Sequence, residues 1–315
     1  MELSGKRVLV TGGAGFIGSE LCARLLEKGS SVACFDNFSS GDEAFIAGIT
    51  GDPKFTVLRG DMLKPKELRK ALKGCEAVIH LAANPDVRLG QSDSRVHFEQ
   101  NVVATYNLLE AMKDLKKKEL VFASSSVVYG SAAVIPTPEN YGPLLPISLY
   151  GASKLACEAL ISAYSDNFGI TSVLCRYANI IGKHAHGVTR DFKKKLEANP
   201  SELEILGDGS QTKSYLHLSD CLDATILAAE KAEKGVEPYN IGSDDKLNVK
   251  TIADIVVSEM GLAGTKYKFT GKLAWAGDIK IMLLATDKIR SLGWRPKLNS
   301  EQAVRKAVRE MLGKK

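Results

Sequence analysis

A short apolar run at residues 7–10, Arg-Val-Leu-Val, opens directly into Thr11-Gly12-Gly13-Ala14-Gly15-Phe16-Ile17-Gly18. No other stretch restricts the fold so tightly. A β-branched strand that ends in closely spaced glycines and passes into a helix brings backbone within reach of a pyrophosphate and aims helix N–H groups at it. A side chain at Gly15 would block that approach, and Gly18 lets the following helix, read over residues 16–28, pack close to the strand. Gly29 ends the helix, a second apolar run follows at 32–35, and Asp36 stands at its end. An acid about 20 residues beyond the glycines falls where a ribose-binding carboxylate is expected. Asp36, followed by Asn37, puts negative charge where a 2′-phosphate would sit, which favours NAD over NADP.

The alternation continues through the first half. Apolar runs at 55–58, 77–81 and 120–123 end at Asp61, Ala82-Ala83 and Ser124-Ser125-Ser126, with helical patterns at 65–73, 93–113 and 148–167. Strands buried on both faces and alternating with helices specify an α/β fold with a doubly wound parallel sheet. Ligands of such sheets bind beyond the carboxyl ends of the strands, where each of these polar punctuations falls. Asp61 suits either an adenine amine or the cap of a helix beginning near Pro65. The second half is more mixed: a strand at 171–175, loop-rich segments at 182–187 and 206–209, a helix at 219–230, a short strand at 239–241, and amphipathic helices at 249–260 and 301–312. The expected arrangement is a dinucleotide-binding domain over 1–178, with a smaller mixed α/β substrate domain, mainly 179–315, packed on it and returning some segments to the first.

Composition narrows the function classes. The 315 residues are 44% hydrophobic, enough for a large core, and a net charge of +5 helps hold a diphosphate without implying nucleic acid. Six cysteines form no C-x-x-C pair. With no secretory segment and no apolar run of spanning length, the expectation is a reduced, cytoplasmic protein without a membrane partner. His184 and His186 bracket Ala185 without further ligands at metal spacing. The lysine runs at 116–118 and 193–195 read as solvated helix faces.

The reactive constellation is Tyr150-Gly151-Ala152-Ser153-Lys154, preceded by the serines at the end of the fifth strand. Residues four apart share a helix face. An ammonium beside a tyrosine favours the phenolate and lowers a pKa that is ordinarily about 10. Such a phenolate can take a hydroxyl proton while hydride leaves the same carbon.

At these residues the chain resembles an extended short-chain dehydrogenase/reductase of the nucleotide-sugar branch, the NAD-dependent epimerase/dehydratase family, with markers most like those of the UDP-hexose 4-epimerases. The likeness runs along essentially the whole chain: TGGAGFIG at 11–18, DNFSSG at 36–41, HLAANPDVR at 80–88, NVVATYNLLEA at 101–111, SSSVVYG at 124–130, YGASK at 150–154, RYANIIG at 176–182 and LGDGSQTKSYLHLSD at 206–220. It implies a Rossmann domain that holds NAD through Gly12, Gly15, Phe16, Ile17, Gly18, Asp36, Asn37, Ser39, Ser40, Asp61, Met62, Leu81, Ala82, Ala83, Asn101, Tyr150 and Lys154. It implies Tyr150 as general base, Lys154 at the nicotinamide ribose and Ser125 as the active-site hydroxyl, with Ser124 structural or secondary. Ser125, Ser126, Asn179, Lys213, Tyr215 and Met282 would meet a UDP-sugar, Met282 at the gate of the sugar pocket. The implied reaction inverts C4 of the hexose through a 4-keto sugar. A keto-sugar reductase using NADH and a silent nucleotide-binding protein are the alternatives. A homodimer through residues 93–113 and 148–167 is expected by the same likeness.

Departures from the family pattern matter. Its 4,6-dehydratases carry an Asp-Glu pair after the active-site threonine, and its decarboxylases commonly a glutamate at the place of Val127. Here Ser126-Val127 disfavours both reactions. Upstream of Trp275, where the family has an arginine for the diphosphate, stand Leu273 and Ala274; Lys272 or Lys280 would have to substitute. A lysine does not fork onto two oxygens as arginine does.

Overall fold

The first strand, β1 (Arg7–Thr11), is buried apart from its first residue. It lies between β2 (Ser31–Asp36) and β4 (Ala77–His80), which pair with it in parallel. The computed structural model describes residues 1–271, 275 and 277–314. With β3 (Phe55–Arg59), β5 (Glu119–Ser125), β6 (Thr171–Tyr177) and the strand Val236–Ile241, a seven-stranded sheet forms. Its order is Val236–Ile241, β6, β5, β4, β1, β2, β3. The order reverses between β1 and β4, and that switch point opens the crevice in which doubly wound sheets bind ligands. The expected doubly wound parallel sheet is therefore present, its strands within three residues of the apolar runs.

The chain divides into two compact units. The first comprises Met1–Val128, Leu149–Arg176 and Ile226–Tyr239. Its core joins Leu9, Ala33 and Phe122 of the sheet to Leu68, Leu108, Met112, Cys157 and Ile161 from helices, all buried. Helix α1 (Phe16–Glu27) follows the glycine turn, and the Pro65–Leu72, Ala104–Asp114 and Leu149–Phe168 helices cross over between strands. The region expected as one helix over 93–113 is not uniform: Phe98–Val103 winds as a π-helix ahead of Ala104–Asp114. All six cysteines are buried and none forms a disulfide.

The second unit comprises Tyr129–Ser148, Tyr177–Thr225 and Asn240–Lys315. Helices Val188–Ala198, Val249–Glu259 and Ser300–Met311 pack around Phe192, Leu196, Ile252, Val256, Val304 and Val308. Short strands surround them: Asn179–Ile181 pairs in parallel with Tyr215–His217, and Glu202–Ile205 with Lys266–Phe269. Thr212–Lys213 lies between Leu247–Asn248 and Ile281–Met282. The Val188–Ala198 helix carries the second lysine run on its outer face, where Lys193 pairs with Glu197. Among the described residues no helix is long and apolar enough to cross a membrane.

Candidate active site

The glycine turn sits at the switch point. Gly12 adopts φ +69°, a left-handed conformation that side chains disfavour. A Cβ there would lie 2.8 Å from the Ala82 amide nitrogen at the end of β4. A Cβ on Gly15, by contrast, would approach only the Gly12 carbonyl oxygen, at 3.2 Å, with otherwise open space. Gly15 caps α1 with no side-chain oxygen, so the first-turn amides of Phe16 and Ile17 have no intrahelical acceptor. An open face over a helix N-terminus, floored by backbone, fits the phosphates of a dinucleotide.

Asp36 ends β2 and is nearly buried. Its Oδ2 accepts from Ala14 N at 2.9 Å and its Oδ1 from Phe38 N at 2.8 Å. One carboxylate thus braces the glycine turn and the chain leaving β2, and its remaining lone pairs suit ribose hydroxyls. Asn37, Ser39 and Ser40 are exposed, with Asn37 Oδ1 accepting from Ser39 N. The Arg59 guanidinium stacks 4.1 Å over the Phe38 ring beside them, a contact that no motif signals. Asp61 Oδ1 accepts from Leu63 N at 2.8 Å, capping the turn before the Pro65–Leu72 helix, whose own N-cap is Lys64. Met62 is buried in the core and its carbonyl accepts from Asn107. Leu81, Ala82 and Ala83 are half-buried at the end of β4.

Beneath the crevice, His80 is fully buried, its ring nitrogens 2.7 Å from Thr11 Oγ1 and 3.1 Å from Thr105 Oγ1. Burial and the nearby Lys154 ammonium push its pKa down to about 3, so it serves as a neutral tie between β1, β4 and a helix. Asn101 lies on the π-helical turn. Its Oδ1 accepts from Asn84 N at 2.8 Å and its Nδ2 donates to Ser153 Oγ at 2.9 Å, which joins the loop after β4 to the long helix Leu149–Phe168. π-turns inside helices are frequent at functional sites because they re-aim a side chain.

The long helix brings Tyr150 and Lys154 to one face, as their spacing predicts. The half-buried Tyr150 is influenced by the Ser125 hydroxyl at the end of β5, which favours its phenolate. Buried Lys154 donates from Nζ to Ala123 O at 2.8 Å and stands 4.7 Å over the Phe122 ring and 5.9 Å from the Tyr150 ring centre. Ser126 is buried in the 3-10 turn after β5.

The phenol differs from the sequence expectation. Burial pushes the Tyr150 pKa up to about 12, against the lowering effect of Ser125. Burial also brings Lys154 down to about 8, opposed by Cys157 and Glu158. The ammonium is bonded to a carbonyl rather than to the phenol, so desolvation outweighs it in the protein alone.

Sequence reasoning missed two features of this unit. His97, 1% exposed, meets the Tyr150 ring edge-on at 5.5 Å, and neither of its ring nitrogens has a hydrogen-bond partner. Glu158, one further turn along the helix face from Lys154, is salt-bridged to Arg176 at 2.7 Å. The spacing of Tyr150, Lys154 and Glu158 is the only signal the sequence holds for the latter.

In the second unit, Asn179 Nδ2 donates to Ser214 O at 3.0 Å. Lys213 Nζ pairs with Asp278 at 2.6 Å. Tyr215 is buried in that unit's core, and burial together with the Asp278 carboxylate raises its pKa well above the usual phenol value. Met282 is buried on the short strand beside Thr212–Lys213. Lys280 Nζ lies 4.0 Å from Asp208. Lys272, Leu273 and Ala274 lie outside the described residues.

Comparison with known proteins fits this arrangement. The sequence model of the NAD dependent epimerase/dehydratase family matches residues 8–242. A crystal structure of UDP-galactose 4-epimerase is 41% identical, with a TM-score of 0.86 over 98% of each chain. UDP-glucose 4-epimerase of Thermus thermophilus, solved in complex with NAD, is 30% identical with a TM-score of 0.87, over 98% of this chain and 99% of that one. UDP-N-acetylglucosamine 4-epimerase of Methanobrevibacter ruminantium, in complex with UDP-N-acetylmuramic acid, is 27% identical with a TM-score of 0.88 over the same shares. The chain belongs to the NAD-dependent epimerase/dehydratase family, and the dinucleotide that its glycine turn fits is NAD.

Proposed function

We propose that this protein is a UDP-hexose 4-epimerase acting on UDP-glucose and UDP-galactose, with the N-acetyl pair as further substrates. The observation that carries the reading is Tyr150 and Lys154 on one helix face, the Lys154 ammonium 5.9 Å from the Tyr150 ring centre, with the Ser125 hydroxyl acting on the phenol from the end of β5. Ser126-Val127 stands where dehydration or decarboxylation calls for carboxyl groups. Likeness to 4-epimerases of both plain and N-acetyl sugars supports the reaction type more than the choice of sugar.

Tyr150 takes the proton of the C4 hydroxyl, with Ser125 bridging between the sugar oxygen and the phenol. NAD held by the glycine turn and Asp36 would supply a reversible hydride acceptor at C4, and its cationic ring would favour the Tyr150 phenolate. Lys154 holds the nicotinamide ribose and adds positive charge near the phenol. Asn179, Lys213 and Tyr215 grip the uridine diphosphate, so the 4-keto sugar turns within the site without leaving it, and Met282 limits the room at the sugar. Tyr150 then gives its proton back to the inverted C4 oxygen. Binding energy from the remote nucleotide thus holds an intermediate that the sugar alone would release. In place of the family's diphosphate arginine, Lys272 or Lys280 is the proposed substitute.

Purified protein given UDP-galactose and no added cofactor should form UDP-glucose, resolved by the anomeric proton in NMR. A requirement for stoichiometric NADH would instead make it a reductase, and no turnover of any UDP-hexose would leave a silent nucleotide-binding protein. Two copies pair through residues 93–113 and 148–167, a reading supported by Phe98 and Tyr106, which are 60% and 45% exposed. Light scattering should give twice the chain mass of 34.0 kDa; a monomer at micromolar concentration would refute the pairing.

A further inference from the structure

Tyr150, Lys154 and Glu158 form a column along one face of the long helix, and the third member is the most heavily constrained. Glu158 Oε1 accepts from Ser124 Oγ at 2.5 Å and from Arg176 Nε at 3.0 Å, and Oε2 accepts from Arg176 Nη2 at 2.7 Å. The Glu158 and Arg176 side chains are only 6% and 7% exposed. Ser124 precedes Ser125 at the end of β5, and Arg176 lies near the end of β6. One carboxylate therefore fastens the helix that carries Tyr150 and Lys154 to the strand end that carries Ser125. A buried ion pair adds little net stability over apolar residues of similar volume. Its place beside the reactive group calls for another reason.

We propose that Glu158, clamped between Ser124 and Arg176, is a positioning residue for Ser125, Tyr150 and Lys154. It locks the long helix in register with the ends of β5 and β6 and sets a fixed carboxylate one turn behind the Lys154 ammonium. The groups acting on that ammonium are Cys157 and Glu158 from its own helix, while His80 from β4 and His97 beside Tyr150 feel its charge in turn. Burial holds both histidines toward the neutral form, so they supply no counter-charge. Glu158 supports the charged state of Lys154 against its burial.

The inference rests on the epimerase reading for its kinetic arm only; its titration arm does not. Glu158→Gln keeps the shape and removes the charge. Breaking one side of a buried pair endangers folding, so the double variant Glu158→Met/Arg176→Met, which removes both charges, is measured alongside. In Glu158→Gln the Lys154 ammonium, followed by carbon-detected lysine NMR and assigned with Lys154→Met, should titrate about 1 pH unit below its value of about 8 in the parent, and in the double variant, which also removes the opposing Arg176 charge, by a smaller amount in the same direction. The alkaline limb of kcat/KM should move toward acid by the matching amount in each, with kcat about tenfold lower and KM little changed. Ser124→Ala, which loosens the strand end but keeps the charge, should lower kcat without moving the limb. A folded double variant with the parent's kcat, pH profile and Lys154 titration would reduce the clamp to a packing element and overturn the proposal. If the parent itself fails to epimerise UDP-galactose, the epimerase reading fails, while the NMR titration still decides whether Glu158 governs Lys154.

Discussion

Tyr150→Phe should lower epimerase turnover by about 10³-fold while the purified protein keeps its full complement of NAD. The substitution removes one oxygen and nothing else. The ring stays half-buried, its edge-on contact with His97 remains, and Lys154 keeps its bond to the Ala123 carbonyl. Folding and the glycine turn therefore give no reason for a change. What goes is the atom that moves the proton, and positioned acid–base groups contribute about 10²–10⁴-fold in rate. The residual rate would come from Ser125 and from the held nucleotide. The pKa of about 12 in the protein alone sharpens the expectation. A phenol this reluctant to ionise becomes a base only with added positive charge nearby, so turnover should also fall as Lys154 loses its proton. Lys154 has a pKa lowered to about 8, so it is charged below that pH and neutral above it, and the loss should set in as pH rises through that value. NAD content is read by absorbance after denaturation and turnover by NMR. Near-parent turnover in the phenylalanine variant would remove Tyr150 from its assigned role.

The sheet was legible because each of its inner strands is buried on both faces. Such strands read as unbroken apolar runs, and Val8, Leu9 and Val10 or Val78 and Ile79 have no solvent face to interrupt them. The helix face shared by Tyr150 and Lys154 follows from helical spacing alone. The π-turn at Phe98–Val103 was not legible, since the phase shift that its extra residue makes in the hydrophobic pattern falls within six residues, too few to read a period from. Its outcome, Asn101 reaching both Asn84 and Ser153, is a tertiary fact. Two-residue strands such as Thr212–Lys213 and Ile281–Met282 are too short to carry any period. Glu158 and Arg176 are residue types that ordinarily face water, and only their pairing permits burial. The upward shift of the Tyr150 pKa escaped for a related reason. The sequence puts an ammonium at the right spacing but does not reveal that the ammonium is bonded elsewhere and that burial dominates.

Gly18→Ala should strip the protein of NAD and lower its melting temperature, although alanine is the better helix former by about 1 kcal/mol. A Cβ on Gly18 would run into the Gly12 carbonyl oxygen and lie 2.8 Å from Gly13 Cα and 2.9 Å from the Gly12 carbonyl carbon. All three are backbone atoms, so no rotamer change relieves the contact. The turn has little freedom to give way. Gly12 N donates to Phe35 O at 2.8 Å, Gly15 N donates to Gly12 O at 3.1 Å, and Gly12 is pressed against the amide of Ala82. The start of α1 must therefore tilt off β1 or the turn must open, at a cost of about 3 kcal/mol, which exceeds the gain in helix propensity. Gly15→Ala separates the two roles. Its Cβ would meet only the Gly12 oxygen, at 3.2 Å, so the cofactor-free protein should melt like the parent, yet the methyl group would occupy the face that the pyrophosphate needs. Melting curves with NAD removed, paired with NAD content on purification, distinguish these outcomes. A Gly18→Ala protein with full NAD and unchanged melting would mean that the turn can relax in a way its hydrogen bonds do not suggest. The close packing of strand, turn and helix would then no longer account for the third glycine.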